Sequence, residues 1–165
     1  MANDRNPRRS SCAVVLAVAL VALTAAGAAG AGVSQVKGQR IYVPVYSHIF
    51  HGDKERPFDL AVTLSIRNTD PEHAISLISV DYYNSEGKLV RKYLEGETKV
   101  NALSAAHFVV NESDRSGGAG ACFVVRWKSE VKVTAPIVES VMIGTSTQQG
   151  ISFSSRGQVI EEDRD

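Results

Sequence analysis

Three side chains of metal-ligating type lie close together in the stretch SHIFHGD: His48, His51 and Asp53. Neutral imidazole nitrogens and a carboxylate suit a divalent ion such as zinc, and a site of that kind takes three or four ligands. Residues three apart on an extended strand point to opposite faces, so the two histidines converge only if the chain turns at Phe50 to Gly52. A complete site would also need His73, His107 or Asp59 from elsewhere. The simpler expectation is a polar loop with one partly buried histidine, and no cofactor motif accompanies the cluster.

A second polar stretch, SDRSGGAG, sets Ser113, Asp114 and Ser116 beside glycines. A nucleophilic serine needs a base and an oxyanion hole, and the sequence holds no G-x-S-x-G turn to present one. The glycines do not make a phosphate cradle either, because no lysine follows at the required spacing. The expectation here is a mobile connection between strands, and the chain reads as a non-enzyme more readily than as an enzyme. Between Gly144 and Gln158 neutral hydrogen-bonding groups are dense. Thr145, Ser146, Gln148, Gln149, Arg156 and Gln158 are the candidate ligand-binding residues, since such groups beside glycines suit carbohydrate, peptide or partner recognition. Tyr42, Tyr46, Tyr83 and Tyr93 offer an aromatic patch, with ordinary sheet packing as the alternative. Asn111-Glu112-Ser113 fits the glycosylation acceptor pattern.

The elements that would position these groups are strands. In DLAVTLSIRN, Leu60, Val62, Leu64 and Ile66 alternate without a break with Ala61, Thr63, Ser65 and Arg67. That is period two, a strand with one dry face. Burying those four side chains is worth roughly 1.5 to 3 kcal/mol each before chain entropy is charged against it. RIYVPVY, AISLISVDYYN, KLVRKYL, HFVVN, ACFVVRWK and IVESVMIG read as further strands, separated by turn residues such as Asp70-Pro71 and Asn84 to Lys88. Pro44 cannot donate to a ladder and belongs at an edge or a bulge. The stretch His51 to Pro57 reads as a loop, and the last residues, EEDRD, as a disordered tail. No helical apolar stripe runs for three turns, so seven or eight short strands point to an immunoglobulin-like two-sheet β-sandwich over 38–160, with a small barrel as the alternative.

The first 31 residues read separately. Arg5, Arg8 and Arg9 precede an apolar run from Cys12 to Ala26 and the small residues GAAGAG, the pattern of a secretory signal peptide, with Ala29-Gly30-Ala31 as the cleavage site. An uncleaved anchor is the alternative, since Cys12 to Gly32 approaches the ~20 residues of a spanning helix. The sequence has 18 basic and 18 acidic residues; removal of three arginines and one aspartate leaves a formal charge of −2. Nothing in that balance steers the domain to nucleic acid, and membrane contact is expected only through an uncleaved N-terminal segment. Cys122 is then the sole cysteine, which rules out an internal disulfide and predicts a buried thiol on a strand.

The phrases YVPVYSHIFHGD, FDLAVTLSIRNTDP, SVDYYNSEGKLVRKYL, VVRWKS and VMIGTSTQQGISFSSRGQ resemble a bacterial family of small exported proteins known as a domain of unknown function. The resemblance spans Gly38 to Ile160 and implies bacterial origin and export, without an activity, cofactor or residue role. The expectation is an exported, non-catalytic binding module of the cell envelope whose partner is an envelope protein or glycan. The alternative is a metal-binding or metal-dependent enzyme using His48, His51 and Asp53.

Overall fold

The computed structural model describes residues 35–145 and 150–163, so the signal segment and Ser146, Gln148 and Gln149 lie outside the described residues. The described residues form strands, turns and loops, with no helix. In chain order the strands are β1 (Gln35–Val45), β2 (His48–His51), β3 (Arg56–Asp59), β4 (Ala61–Arg67), β5 (Ile75–Tyr83) and β6 (Leu89–Lys92). They continue with β7 (Thr98–Val100), β8 (Ala105–Val110), β9 (Ala121–Thr134), β10 (Ile137–Gly144), β11 (Ile151–Arg156) and β12 (Gln158–Asp163). A six-stranded antiparallel sheet runs β12-β1-β9-β5-β6, with β7 also paired to β5; a four-stranded one runs β11-β10-β4-β8; and β2 with β3 makes a hairpin.

Period-two reading holds where one face is dry. Leu60, Val62, Leu64 and Ile66 are fully buried, as are Val43 and Val45 of β1 and Phe123 and Val125 of β9. Side chains from both larger sheets belong to one buried cluster, in which Trp127, Tyr82 and Phe123 are the bulkiest members. Their inward faces therefore share a core, which is what the alternation demands.

Backbone rather than side chains links the sheets at one corner. Strand β11 ends in the four-stranded sheet and β12 begins in the six-stranded one, with only Gly157 between them. The Gly157 N–H donates to Val138 O at 2.9 Å, and a Cβ here would stand 2.6 Å from Ile41 Cγ2, so no side chain fits without a shift. Nearby, the buried Ser140 hydroxyl donates to Pro44 O at 2.9 Å. Pro44 sits beyond the last β12 partner, Tyr42, so its missing N–H leaves no gap in the ladder, as expected of a proline at an edge.

Two expectations are corrected. Glu161 to Asp163 are not a disordered tail but the end of β12, paired through Glu161 with Arg40 and Asp163 with Gly38. That strand is almost wholly exposed and joins the sheet through backbone bonds, so it carries no apolar alternation to read. The stretch His51 to Pro57 is not simply a loop, since its ends pair as the β2–β3 hairpin, His48 opposite Asp59 and His51 opposite Arg56.

Candidate functional site

The hairpin decides the fate of the histidine cluster. Strand β2 stays extended from His48 to His51, so the two imidazoles lie on opposite faces. His48 meets Phe50 edge-on at 5.1 Å and its Nδ1 lies 3.3 Å from Ser47 Oγ, whereas His51 meets Phe58 at 6.2 Å. Asp53 is exposed in the turn between the strands. The structure does not bring the three together, and among the described residues no three His, Cys, Asp or Glu side chains are arranged to hold a metal ion.

The glycine-rich stretch is tethered rather than loose, correcting the expected mobile connection. Arg115 pairs with Asp59, Arg91 with Asp114 at 3.0 Å, and the Ser47 N–H donates to Gly118 O. Ser85 donates to Gly117 O through both its amide and its hydroxyl. Ser116 is engaged by the Asp114 carboxylate, a bond that holds Asp114 below the usual carboxylate range. Among the described residues neither Ser113 nor Ser116 is hydrogen-bonded to a histidine; the polar groups here bind three neighbouring segments to one another. Gly117 lies against the buried Tyr82 hydroxyl, where a Cβ would collide, and burial pushes that phenol up to about 12, with the Asp114 charge adding to it.

Of the Gly144 to Gln158 candidates, Thr145, Arg156 and Gln158 are described, and all three are exposed. The segment's start meets the hairpin, because Gly144 packs under Phe58, Asp59 and Leu60, and Tyr46 meets Phe153 at 5.8 Å. Arg156 stands opposite Glu139 at the far end of β11, roughly 20 Å along the strand from Gly150 at ~3.3 Å per residue. These residues do not form one site.

Sequence reasoning missed the polar cluster at NTDPEH. Buried Asn68 donates through Nδ2 to His73 O (2.8 Å), Asn101 O (3.0 Å) and Val100 O (3.3 Å), while its Oδ1 accepts the Asp70 N–H. Asp70, also buried, accepts the N–H groups of Glu72, His73 and Thr134. The Glu72 and His73 amides hold its carboxyl down at about 2. Thr69 adds a bond to Ala135 O. The cluster ties three inter-strand connections together, and each acceptor and donor is matched within the chain.

The tyrosines separate into two groups. Tyr93 turns inward, its ring against Phe108 and Phe123 and its hydroxyl donating to Val109 O at 2.9 Å, and Tyr46 sits against Phe153. Tyr42 and Tyr83 instead share the outer face of the six-stranded sheet. Register places Tyr42 beside Val124 and Asp81, and Pro44 beside Cys122 and Tyr83, with Leu89 beyond. Tyr42 is 37% and Leu89 40% exposed, whereas Cys122 is 8% exposed beneath its neighbours. Burial pushes both the Tyr42 phenol and the Cys122 thiol up. The predicted buried thiol is therefore found, but on the outward side of β9 and not in the core.

Below that patch the same face becomes concave. Between Lys128 and Val133, β9 advances while β1 moves only from Gly38 to Val36, so Ser129 to Lys132 arch out of the ladder. The arch borders a cleft of about 570 Å³ lined by His73, Ser76, Glu97, Lys99, Lys128 and Glu130. Lys128 pairs with Glu97 at 2.9 Å, and the Ser76 hydroxyl and Lys128 together hold the Glu97 carboxyl down. Val131 is 43% accessible although it stands in phase with the buried Phe123, Val125 and Trp127, so the alternation along the chain carried no sign of the arch.

These features define an all-β protein with an aromatic outer sheet face above a charged cleft. The chain belongs to the family described as "Protein of unknown function (DUF3124)", whose model matches residues 38–160. Among curated proteins no sequence matches. The crystal structure of Thermotoga maritima 1070 is similar over 76% of this chain and 97% of that one, at 11% identity and a TM-score of 0.47.

Proposed function

We propose that the protein is an exported, non-catalytic binding module of the bacterial cell envelope, an immunoglobulin-like β-sandwich that recognises its ligand on the outer face of the six-stranded sheet. The observation that carries this reading is the patch of Tyr42, Pro44, Val124, Tyr83 and Leu89, an aromatic and apolar outer face in which Tyr42 and Leu89 are exposed and the other three half-buried. An uncovered patch with a polar rim is the usual mark of a recognition surface. Export rests on the leader-like residues 1–31 and on the resemblance already noted; among the described residues no helix is long and apolar enough to cross a membrane.

Capture from an envelope extract tests the reading. With the protein as bait at micromolar concentration, a specific protein or glycan is expected, and it is lost with a Tyr42→Ala, Tyr83→Ala bait. Recovery of the same material by both baits, or of nothing specific by either, overturns the assignment of that face. Intact mass of protein recovered outside the cytoplasm reports whether residues 1–31 are removed.

A further inference from the structure

We infer that the protein assembles with further copies of itself, head to tail, by joining the β12 edge of one six-stranded sheet to the β6 edge of the next. The inference concerns the two ends of that sheet and stands apart from the binding reading of its outer face. Among the described strands β12 pairs only with β1 and β6 only with β5, so each leaves one side of its backbone unpaired. A free edge of that kind is a template for another strand, and proteins commonly guard it with charge. Here each guard has a single sign, and the two signs are opposite. Strand β12 carries Glu161, Glu162 and Asp163 with no base, whereas the run from Lys88 to Lys92 carries Lys88, Arg91 and Lys92 with no acid.

Strand direction and register fix how the two edges meet. The steps from β12 to β1, β9, β5 and β6 are all antiparallel, which leaves β12 and β6 running the same way. A copy repeated without inversion therefore sets its β6 parallel to the first copy's β12. On the core side Glu162 stands opposite Gln39 and Arg91 opposite the buried Tyr82; on the outer side Asp163 stands opposite Gly38 and Lys92 opposite Asp81. Acid and base follow the same order of faces along the two strands, so a parallel pair puts Glu162 beside Arg91 and Asp163 beside Lys92 together. Exposed apolar residues precede the charges on both edges, Val159 and Ile160 at 42% and 55% in β12 and Leu89 at 40% in β6. Each strand also has one extra residue there, Ile160 or Val90, where its ladder shifts register, so both edges bend upstream of their charged pair.

Charge then selects the arrangement. Two β12 edges brought together oppose acid to acid, and two β6 edges oppose base to base, so a symmetric dimer through either is disfavoured. The outer strands of the four-stranded sheet, β11 and β8, offer no such opposition, since Arg156 is the only Asp, Glu, Lys or Arg on either. Within one copy Glu161 is held by Arg40, Glu162 by Gln39 and Arg91 by Asp114, but Asp163, Lys88 and Lys92 have no ion pair among the described residues. The other charges nearby lie off the edge strands: Glu86 precedes β6, Glu95 and Glu97 follow it, and Asp81 and Arg40 each stand one strand in. Of these Glu97 already holds Lys128 and Arg40 holds Glu161. A contact between two different edges does not close on itself, so copies add in a row.

The test is the mass of the protein expressed from its full sequence, followed by sedimentation at low salt between about 10 μM and 1 mM, where weak contacts become populated. The mass is expected to climb past that of two copies with concentration and to fall back as salt is raised. The pair Ile160→Lys, Asp163→Lys alters the β12 edge, and the pair Lys88→Glu, Lys92→Glu alters the β6 edge. All four side chains are exposed and none is held by an ion pair among the described residues, so thermal midpoints should match the parent. Each variant alone should stay a single copy. An equal mixture of the two should associate again, because the untouched β6 edge of one meets the untouched β12 edge of the other. A parent that stays single throughout the series, a mass that stops at two copies, growth that survives in either variant, or a mixture that stays single each overturns the inference. The parent series decides the matter even where a variant does not fold, and the Tyr42 and Tyr83 capture is read separately from it.

Discussion

Asp70 and Arg126 are both charged residues on strands or turns of the same small β protein, yet their surroundings differ in kind. Around Asp70 and Asn68, backbone amides and carbonyls from three connections meet matching side-chain atoms, and both side chains are buried. Arg126 is exposed beside the exposed Arg40 and Lys128 and the half-buried Ser79, and the guanidinium has no ion pair among the described residues. Polar chemistry turned inward fixes loops, since each buried unmatched group would cost about 1 to 3 kcal/mol. Polar chemistry beside uncovered aromatics is available for recognition. Identity of residue type does not separate the two; the count of internal partners does.

The comparison breaks most readily at Asn68. Asn68→Ala leaves the Asp70 amide and three carbonyls without their partner, with an expected loss of about 3 kcal/mol. That loss reads as a drop in thermal midpoint on the order of 10 °C. A change within experimental error would show that the cluster is decoration. Gly157→Ala comes next. Its new Cβ meets Ile41 Cγ2 and the Val138 carbonyl where the chain changes sheets, so a cost of about 2 kcal/mol is expected in urea unfolding.

Asp70→Asn gives an effect confined by pH. Because the folded-state pKa is depressed to about 2, the carboxylate stabilises the fold above its unfolded value, near 3.9, and that contribution disappears as pH falls toward 2. Thermal midpoints of parent and variant should therefore differ at neutral pH and converge between about pH 4 and pH 2. A gap that stays constant across that window would place the effect elsewhere. The smallest effect is expected of Arg126→Gln, within about 0.5 kcal/mol of the parent, as for a surface residue with no internal partner. A loss above 1 kcal/mol there would move Arg126 to the inward-facing class.

How far each region was legible follows from the same contrast. The alternation at Leu60 to Ile66 and Phe123 to Trp127 was readable because burial of one face writes a period into the sequence. NTDPEH was readable as a turn but not as a cluster, since its partners Val100, Asn101, Thr134 and Ala135 lie 32 to 66 residues away in the chain. The His48, His51 and Asp53 spacing suggested a site only if the chain turned, and the hairpin kept it extended. Tyr42 and Tyr83 were visible as aromatics, but their shared face depends on β9 lying between their strands.

By itself the sequence determined that most of the described chain is made of strands and which side of the core strands is dry, because these are properties of residue type and short spacing. Only the tertiary structure decided that Cys122 sits under Tyr42, that β9 arches over a cleft, and that β12 closes an edge. Each of those depends on register between strands far apart in the chain, and register is set by the packed core as a whole and not by any one segment.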